Sequence, residues 1–518
     1  MSFISNSDRP FLEALSGLAY CNPFLPERIA WERLALGDQF EAAPDVWSLR
    51  SDLPAEGVNV ERLAERAIEL AERLRKKLAA RKKPAASQSD LVLYEDVALY
   101  ALYECFRQPL NRLLDAGAKK SRSVRFEAWE EFSKQFASYL NISGVTFPSR
   151  HAPAHMLACL FQLRRAFEEP YRHIVGGSMP AARLRASVWQ SIFTRDMRRY
   201  RRSLYEAMGD VTTLVIGPSG TGKELVARSI GLARFIPFDA ASGCFAENYA
   251  ESFHAVNLSA LSPTLIESEL FGHRKGSFTG AIDDRQGWLD VCPPLGTVFL
   301  DEIGELDPTI QVKLLRVLQS RRFQRLGETA DRVFHGKIIA ATNRDLAVAM
   351  RGGDFREDFY YRLCADVIHT PSLHEQLVDA PDDLGNLVLF IARRIHRDEA
   401  EALAGEAEQW IEQNLGREYP WPGNIRELEQ CVRNVMIRGE YRPAAIDTRA
   451  SDDPHDQIAA EMRGGTLTAD ELLRYYCTHL YAQTGSYEKA ARRLKLDRRT
   501  VKSKIDEKLL SRLKGTER

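Results

Sequence analysis

TTLVIGPSGTGKELVARSIGLA, residues 212–233, is the stretch from which the fold can be read. The apolar run Leu214 to Ile216 has the length and branching of a buried strand, and a helical pattern resumes at Leu225. Between them stand Gly217, Pro218, Ser219, Gly220, Thr221, Gly222, Lys223 and Glu224. A strand, a glycine-rich loop and a helix in that order let successive peptide N–H groups converge on one concavity, and the helix N-terminus adds partial positive charge. Lys223 can reach the β and γ phosphates of a nucleoside triphosphate, so the loop predicts a phosphate cradle. A chance glycine-rich turn is the alternative, and the flanking strand and helix weigh against it. Glu224 occupies the position where a Ser or Thr hydroxyl usually meets Mg²⁺, so metal ligation must come partly from elsewhere.

Working outward, short β-branched runs recur at 296–302 and 336–343 and alternate with amphipathic helical stretches. That pattern predicts an α/β domain with a mostly parallel sheet. GTVFLDEI (296–303) delivers two acids at a strand end, where Asp301 can hold a magnesium shell and Glu302 can polarise an attacking water. Taken alone, such a pair can also be a helix N-cap. Asn343, in ATNRDL (341–346), emerges beside them, either to orient the water or sense the γ phosphate, or simply as a turn former. In ESELFGHRKGSFTGA (267–281), Gly276, Ser277, Phe278, Thr279, Gly280 and Ala281 form a glycine-hinged tip. An exposed aromatic on a mobile tip suggests a contact surface, whereas a Phe278 that folds back would only anchor its own loop.

The chain has 518 residues, 44% hydrophobic and 28% charged, which fits an ordinary globular protein of about three domains and disfavours wholesale disorder. No apolar run approaches the roughly 18 residues that span a bilayer. The start MSFISNSDRPFLEAL lacks a basic then apolar leader, so a cytoplasmic location is expected. The eight cysteines are scattered with no CxxC pair and read as small buried hydrophobes. Residues 1–172 read as a mostly helical N-terminal region of unknown regulatory type, without the strand and paired acids of a phosphorylatable receiver. The α/β core is expected over 173–370, a helical lid over 371–440 with WPGN (421–424) as a turn opening another helix, a linker over 441–465 and a small helical unit over 466–518. The net charge of −1 conceals a basic tail: Ser486 to Arg518 holds six Lys and six Arg against five acids. Such a tail could attract a polyanion.

GPSGTGKE, ESELFGH, GSFTGA, GTVFLDEI, QVKLLRVLQ, ATNRDL, FREDFYYRL and WPGNIREL follow one another over about 173–440. The set resembles the AAA+ domain of bacterial sigma-54-dependent transcriptional activators, also called enhancer-binding proteins. The resemblance implies an AAA+ P-loop NTPase core with a helical lid, assembly into a ring, usually a hexamer, and hydrolysis of ATP with Mg²⁺. It implies that hydrolysis remodels the closed complex of sigma-54 RNA polymerase holoenzyme into the open one. It makes Gly217, Gly220, Gly222, Lys223 and Glu224 the Walker A loop, and Asp301 and Glu302 Walker B. Asn257, in HAVNLSAL, corresponds to the residue that restrains the catalytic Glu. Arg356 and Arg362 correspond to arginines that reach the neighbouring subunit's site, Arg426 to a nucleotide-sensing lid arginine, and the tip 276–281 to the sigma-54 contact. Glu224 agrees with the GKE of the family. Ser277 stands where Ala is usual, and His374, in HTPSLHEQ (369–376), where an arginine is frequent.

GSYEKAARRLKLDRRTVKSKI (485–505) divides into a short helix AARRL, a turn KLD and a second helix RRTVKSKI, and resembles the Fis-type helix-turn-helix that ends most of these activators. The resemblance implies a small all-α domain on double-stranded DNA at an upstream site, with Arg498, Arg499, Thr500, Lys502 and Lys504 offered to the major groove. A basic helix pair that merely caps the ring is the alternative. Three functions are open at this point: a sigma-54 activator, a DNA-binding repressor whose ATPase core is only an assembly switch, and a remodeller of some other protein.

Overall fold

A computed structural model of the chain describes residues 3–48, 57–80, 87–117, 124–149, 151–260, 262–443, 458, 462 and 467–515. The expected linker 441–465 lies outside the described residues except at 441–443, 458 and 462. The chain forms two compact units, Met1–Glu440 and Tyr441–Arg518.

The first unit begins with six helices: α1 (Arg9–Tyr20), α2 (Glu27–Leu36), α3 (Val58–Ala79), α4 (Gln88–Gly117), α5 (Trp129–Leu140) and α6 (Pro153–His173). The spacing in α3 explains its docking, since Leu63, Ala67, Leu70, Ala71, Leu74 and Leu78 recur three and four apart and all are buried. α7 (Met179–Ile192) follows, with Ser178 capping its start by accepting from the Ala181 N–H.

Five strands form one parallel sheet: β1 (Thr213–Ile216), β2 (Phe253–Asn257), β3 (Thr297–Asp301), β4 (Lys337–Thr342) and β5 (Asp366–His369), in the order β5-β1-β4-β3-β2. Helices cover both faces, so the middles of the central strands are apolar, with polar residues only at their ends. Leu214, Leu300 and Ala340 point into one core, whereas Val215, Phe299, Ile339 and Ala341 point into the other. The three strands expected from sequence are the three central ones. β2 and β5 are the edges, and their sequences, FHAVN and DVIH, carry the polar residues that an edge tolerates and a β-branched pattern search passes over.

α8 (Lys223–Leu232), α9 (Pro263–Phe271), α10 (Pro308–Ser320), α11 (Leu346–Gly352) and α12 (Glu357–Leu363) complete the α/β layer, and α13 (Leu373–Asp379), α14 (Asp383–Ile395), α15 (Ala400–Asn414) and α16 (Asn424–Arg438) form the helical cover that follows. His374 is exposed on α13, so the residue that departs from the family pattern lies off the packed face of that helix.

The helical layer and the sheet share a core. Leu232, Ile236, Phe238, Phe245 and Tyr249 pack among the side chains of α3 to α6. Arg165 of α6, fully buried, donates to the carbonyls of Leu232 (2.6 Å) and Arg234 (2.8 Å) at the C-terminal end of α8, and lies over Phe161 and Tyr249. A cation there complements the negative end of the α8 dipole. On the other side, the segment between α7 and β1 sends Arg198 to Asp96 (2.5 Å) and Arg201 to Glu95 (3.3 Å), both acids on α4 and both buried.

The second unit contains α17 (Ala469–Thr484), α18 (Tyr487–Leu494), α19 (Arg498–Lys504) and α20 (Glu507–Gly515) around Cys477, Leu480, Ala490, Ala491 and Val501. Among the described residues no helix is long and apolar enough to cross a membrane.

Removing the Arg165 side chain should leave two helix-terminal carbonyls buried without donors. Arg165→Ala is therefore expected to destabilise the first unit by about 3 kcal/mol, read as a lowered urea midpoint. An unchanged midpoint would show that this contact contributes little to holding α6 on α8.

Candidate functional site

The loop 217–224 leaves β1 at the C-terminal edge of the sheet, where strand ends and helix starts converge. Its glycines are required by proximity as well as by dihedral angle. A Cβ on Gly217 would lie 2.1 Å from Thr370 Oγ1, and one on Gly220 (φ 79°) would lie 2.3 Å from the Gly423 carbonyl oxygen. Gly222 (φ 83°) starts α8 in the left-handed region, which turns the N-terminal peptide groups of the helix toward the concavity. Thr221 Oγ1 donates to the Pro218 carbonyl (2.9 Å) and pairs with Thr370 Oγ1 (2.7 Å).

Lys223 is buried, and its Nζ donates to the carbonyls of Gly217 (3.0 Å) and Pro218 (3.1 Å), so the cation rests on the loop's own backbone. Burial lowers its pKa, while Glu302 and Asp301 oppose the shift. Asp301 ends β3 and is half-buried; burial raises its carboxyl pKa, against the Glu302 N–H and Lys223. A cation brought to Asp301 would offset that cost, so the donor chemistry suits a hard metal ion. Glu302 adopts φ 57° and ψ 48°, left-handed angles that a non-glycine residue rarely takes. The conformation directs its carboxylate to the end of the neighbouring strand, where Oε2 accepts the Asn343 N–H (3.3 Å). Asn343 is thus beside the acids, as expected from sequence. Glu224 is exposed on the first turn of α8.

Three residues near this edge escaped the sequence reading. Asn424, buried and itself left-handed (φ 55°), donates from Nδ2 to the Ser219 carbonyl (2.9 Å) and accepts the Leu373 N–H (2.8 Å) on its Oδ1. Thr370 and Gly423 press on the loop as described above. WPGN marked a turn; its contact with the phosphate loop is tertiary and had no local signal. Arg426 joins the same surface, donating from Nη1 to Ser219 Oγ (3.1 Å). On the hinge before α7, the Gly177 N–H (2.5 Å) and the Ser178 N–H (3.2 Å) both donate to Asp383 at the start of α14.

Other candidates are not brought together. Asn257 ends β2 in register with Asp301, but its Oδ1 accepts from Ser259 N–H (3.0 Å) and hydroxyl (2.8 Å), and among the described residues it has no hydrogen bond to Glu302. Arg356 is exposed and paired with Asp358 (2.8 Å). Arg362 is exposed on α12, and among the described residues neither arginine pairs with Asp301 or Glu302.

The tip 276–281 is closed by hydrogen bonds from the Gly276 N–H to the Ala281 carbonyl (2.9 Å) and from the Ala281 N–H to the Phe278 carbonyl (3.0 Å). Of the two readings of Phe278, the structure shows the one in which the ring folds back, and the fully exposed aromatic is corrected. Phe278 is half-buried, with its ring edge-on to His273 at 5.0 Å, because the two-stranded ribbon formed by Gly272–His273 and Arg285–Gln286 brings that imidazole beneath the loop. Thr279 and Gly280 are exposed, Ala281 is buried, and the most exposed apolar side chain here is Ile282, at 75%. Ser277 Oγ is buried without a hydrogen-bond partner among the described residues, so the hydroxyl that distinguishes this loop from the usual Ala makes no compensating contact.

In the terminal unit, Lys495 turns left-handed (φ 54°) and Asp497 caps α19 by accepting the Arg499 N–H (2.7 Å). Arg498, Arg499 and Lys502 are exposed, whereas Thr500 and Lys504 are half-buried. Arg498 is paired with Glu488 (3.2 Å) and Lys504 with Asp470, whereas among the described residues Arg499 and Lys502 have no ion-pair partner.

The family described as "Sigma-54 interaction domain" matches residues 193–369. The transcriptional regulatory protein ZraR of Klebsiella oxytoca is 37% identical over 311 residues, 58% of this chain and 64% of that protein. A Nif-specific regulatory protein of Azotobacter vinelandii is 40% identical over 265 residues, 51% and 47% of the two chains. The chain thus spans about half to two thirds of the length of these relatives. NtrX from Brucella abortus in complex with ATP aligns with a TM-score of 0.39 at 21% identity, over 72% of this chain and 80% of that one. The phosphate loop, the acidic strand end and the tip 276–281 all lie inside the matched span, so residues 193–369 match the sigma-54 interaction domain, and over that part the chain is similar to these transcriptional regulatory proteins.

Proposed function

We propose that this protein is a cytoplasmic ATPase that assembles as a hexameric ring, binds upstream double-stranded DNA and remodels the closed complex of sigma-54 RNA polymerase holoenzyme into the open complex. The observation that carries the reading is the meeting, at one sheet edge, of a glycine loop that excludes side chains, a buried Lys223 and the acids Asp301 and Glu302, with Glu302 held in left-handed backbone.

In this reading the N–H groups of 220–224 and Lys223 bind the β and γ phosphates of ATP, and Arg426, hydrogen-bonded to Ser219 of the loop, closes on them from the lid side. Asp301 would hold Mg²⁺, which neutralises phosphate charge when bound. Glu302 accepts a proton from water as the water oxygen bonds to the γ phosphorus and the bond to the ADP oxygen breaks. Asn343, tied to the Glu302 carboxylate through its N–H, senses whether the γ phosphate is present. Arg356 and Arg362, exposed and unpaired with Asp301 and Glu302 of their own chain, supply guanidinium charge to a neighbouring protomer, so hydrolysis depends on assembly. Asn257 restrains Glu302 once nucleotide rearranges the edge. The tip 276–281 contacts sigma-54 through Thr279 and the partly sheltered Phe278, and α19 enters the major groove through Arg498, Arg499, Thr500, Lys502 and Lys504.

Glu302→Gln is expected to bind ATP normally while turnover falls by about 10²–10⁴-fold; filter binding and phosphate release measure the two, and near-normal turnover would remove Glu302 from the role of base. Thr279→Ala should keep ATP hydrolysis and lose promoter opening, measured by permanganate footprinting. Normal opening would refute the contact assigned to the tip, and a chain that hydrolyses ATP but never opens promoters would favour the repressor reading. Arg499→Ala should weaken binding to a specific site by about 1–3 kcal/mol; an unchanged gel-shift affinity would leave α19 as a cap.

A further inference from the structure

The N-terminal helical layer borders a half-open cavity of about 490 Å³, lined from α1 to α4, α6, α7 and Trp47. Lys223, Asp301 and Glu302 do not line it. Its walls are aromatic: Phe167 stacks on Tyr171 (5.4 Å between centroids, 18° between planes) and takes Trp47 edge-on (5.3 Å, 87°), while Tyr100, Tyr103 and Trp189 complete the lining. Charge on the walls is nearly balanced. Arg28 pairs with Glu32 (2.5 Å), Arg107 with Glu104 (3.2 Å), Arg164 with Glu168, and Arg172 with Glu168 (2.6 Å) and Asp115 (3.7 Å). A polyanion such as a nucleotide finds no surplus of cations here.

One wall pair is only half used. Arg28 and Glu32 are 2% and 1% exposed, yet Arg28 Nε and Glu32 Oε2 have no hydrogen-bond partner among the described residues. The guanidinium lies 3.6 Å from the centre of the Trp47 ring, so the unpaired donor sits under an aromatic side chain that lines the cavity, as do Arg28 and Glu32 themselves. Buried polar groups without partners are uncommon and call for a ligand or a water.

We propose that this cavity is an effector site for an uncharged, planar heteroaromatic molecule with an amide edge, a carbonyl acceptor beside an N–H donor. The ring faces pack on the aromatic walls, and the edge pairs with Arg28 Nε–H and Glu32 Oε2 once Trp47 moves aside. The wall continues toward the lid. The Tyr171 hydroxyl donates to the Ser48 carbonyl (3.4 Å), and a Cβ on Gly177 would lie 3.6 Å from Ser48 Oγ, itself buried and unpartnered among the described residues. Gly177 in turn donates to Asp383 at the start of α14. A shift of Trp47 would therefore press Ser48 on the segment 176–178, whose N–H groups hold Asp383 of α14. The binding itself does not depend on the ATPase reading.

Isothermal titration calorimetry of the full chain without nucleotide, with 2-quinolone and isoquinolin-1-one as probes, tests this site. Saturable binding of at least one probe is expected, with N-methyl-2-quinolone, which keeps the ring and loses the donor, binding about tenfold more weakly than 2-quinolone. Ala19→Phe fills the cavity without removing a charge and should abolish binding while thermal unfolding stays cooperative. Hydrogen exchange at 176–178 should slow when the probe binds. No saturable binding of either probe overturns the proposal, as does equal binding of the N-methylated probe, which needs no variant to observe. Binding unchanged in a folded Ala19→Phe chain puts the probe elsewhere, and unchanged exchange at 176–178 removes the effector role.

Discussion

Between the phosphate loop and the two segments that cover it there is no room for a β-carbon. Thr370, just beyond β5, and Gly423, just before α16, approach the backbone of Gly217 and Gly220 closely enough that any side chain there would force the segments apart. That exclusion fixes the curvature of the loop, and the curvature fixes where the N–H groups at the start of α8 point. The rest of the site follows from it: Lys223 folds onto its own loop, and Ser219 becomes a common partner for Asn424 and Arg426. The lid thus touches the phosphate loop through backbone and short polar groups, an arrangement sensitive to small displacements because such contacts have steep distance dependence.

Electrostatics at the edge is arranged by burial more than by pairing. Asp301 is shifted upward and Lys223 downward chiefly because each is removed from water, and each partly relieves the other. A site with this balance gains when a phosphate chain and a cation enter together, since both costs fall at once. The left-handed Glu302 adds backbone strain to the same edge, which the surrounding strands β3 and β4 hold in place.

The central strands and the loop were legible because their signals are local: a β-branched run, a glycine pattern, an acidic pair. The edge strands β2 and β5 were not, since His254, Asn257, Asp366 and His369 break the apolar pattern at positions where only one neighbour has to be satisfied. In the site, Lys223, Asp301, Glu302 and Asn343 could be named from spacing, whereas Asn424 and Thr370 could not, because their importance lies in which backbone they meet across more than 150 residues of chain, Ser219 for Asn424 and Gly217 for Thr370. Phe278 is the instructive case, where two readings stood open and the folded-back one holds. Flanking glycines imply freedom, but His273, five residues earlier, returns beneath the ring through the ribbon.

Phe238, Phe245 and Tyr249, from the α/β layer, are core residues only because α4 to α6 cover them, and Arg165 reaches across to the end of α8. The N-terminal layer is therefore not a detachable sensor bolted onto a self-sufficient motor. Recombination that swapped it for a foreign input module would leave a bare aromatic face, so the two parts are constrained to change together over evolutionary time, and a chimera would have to import both sides of the seam.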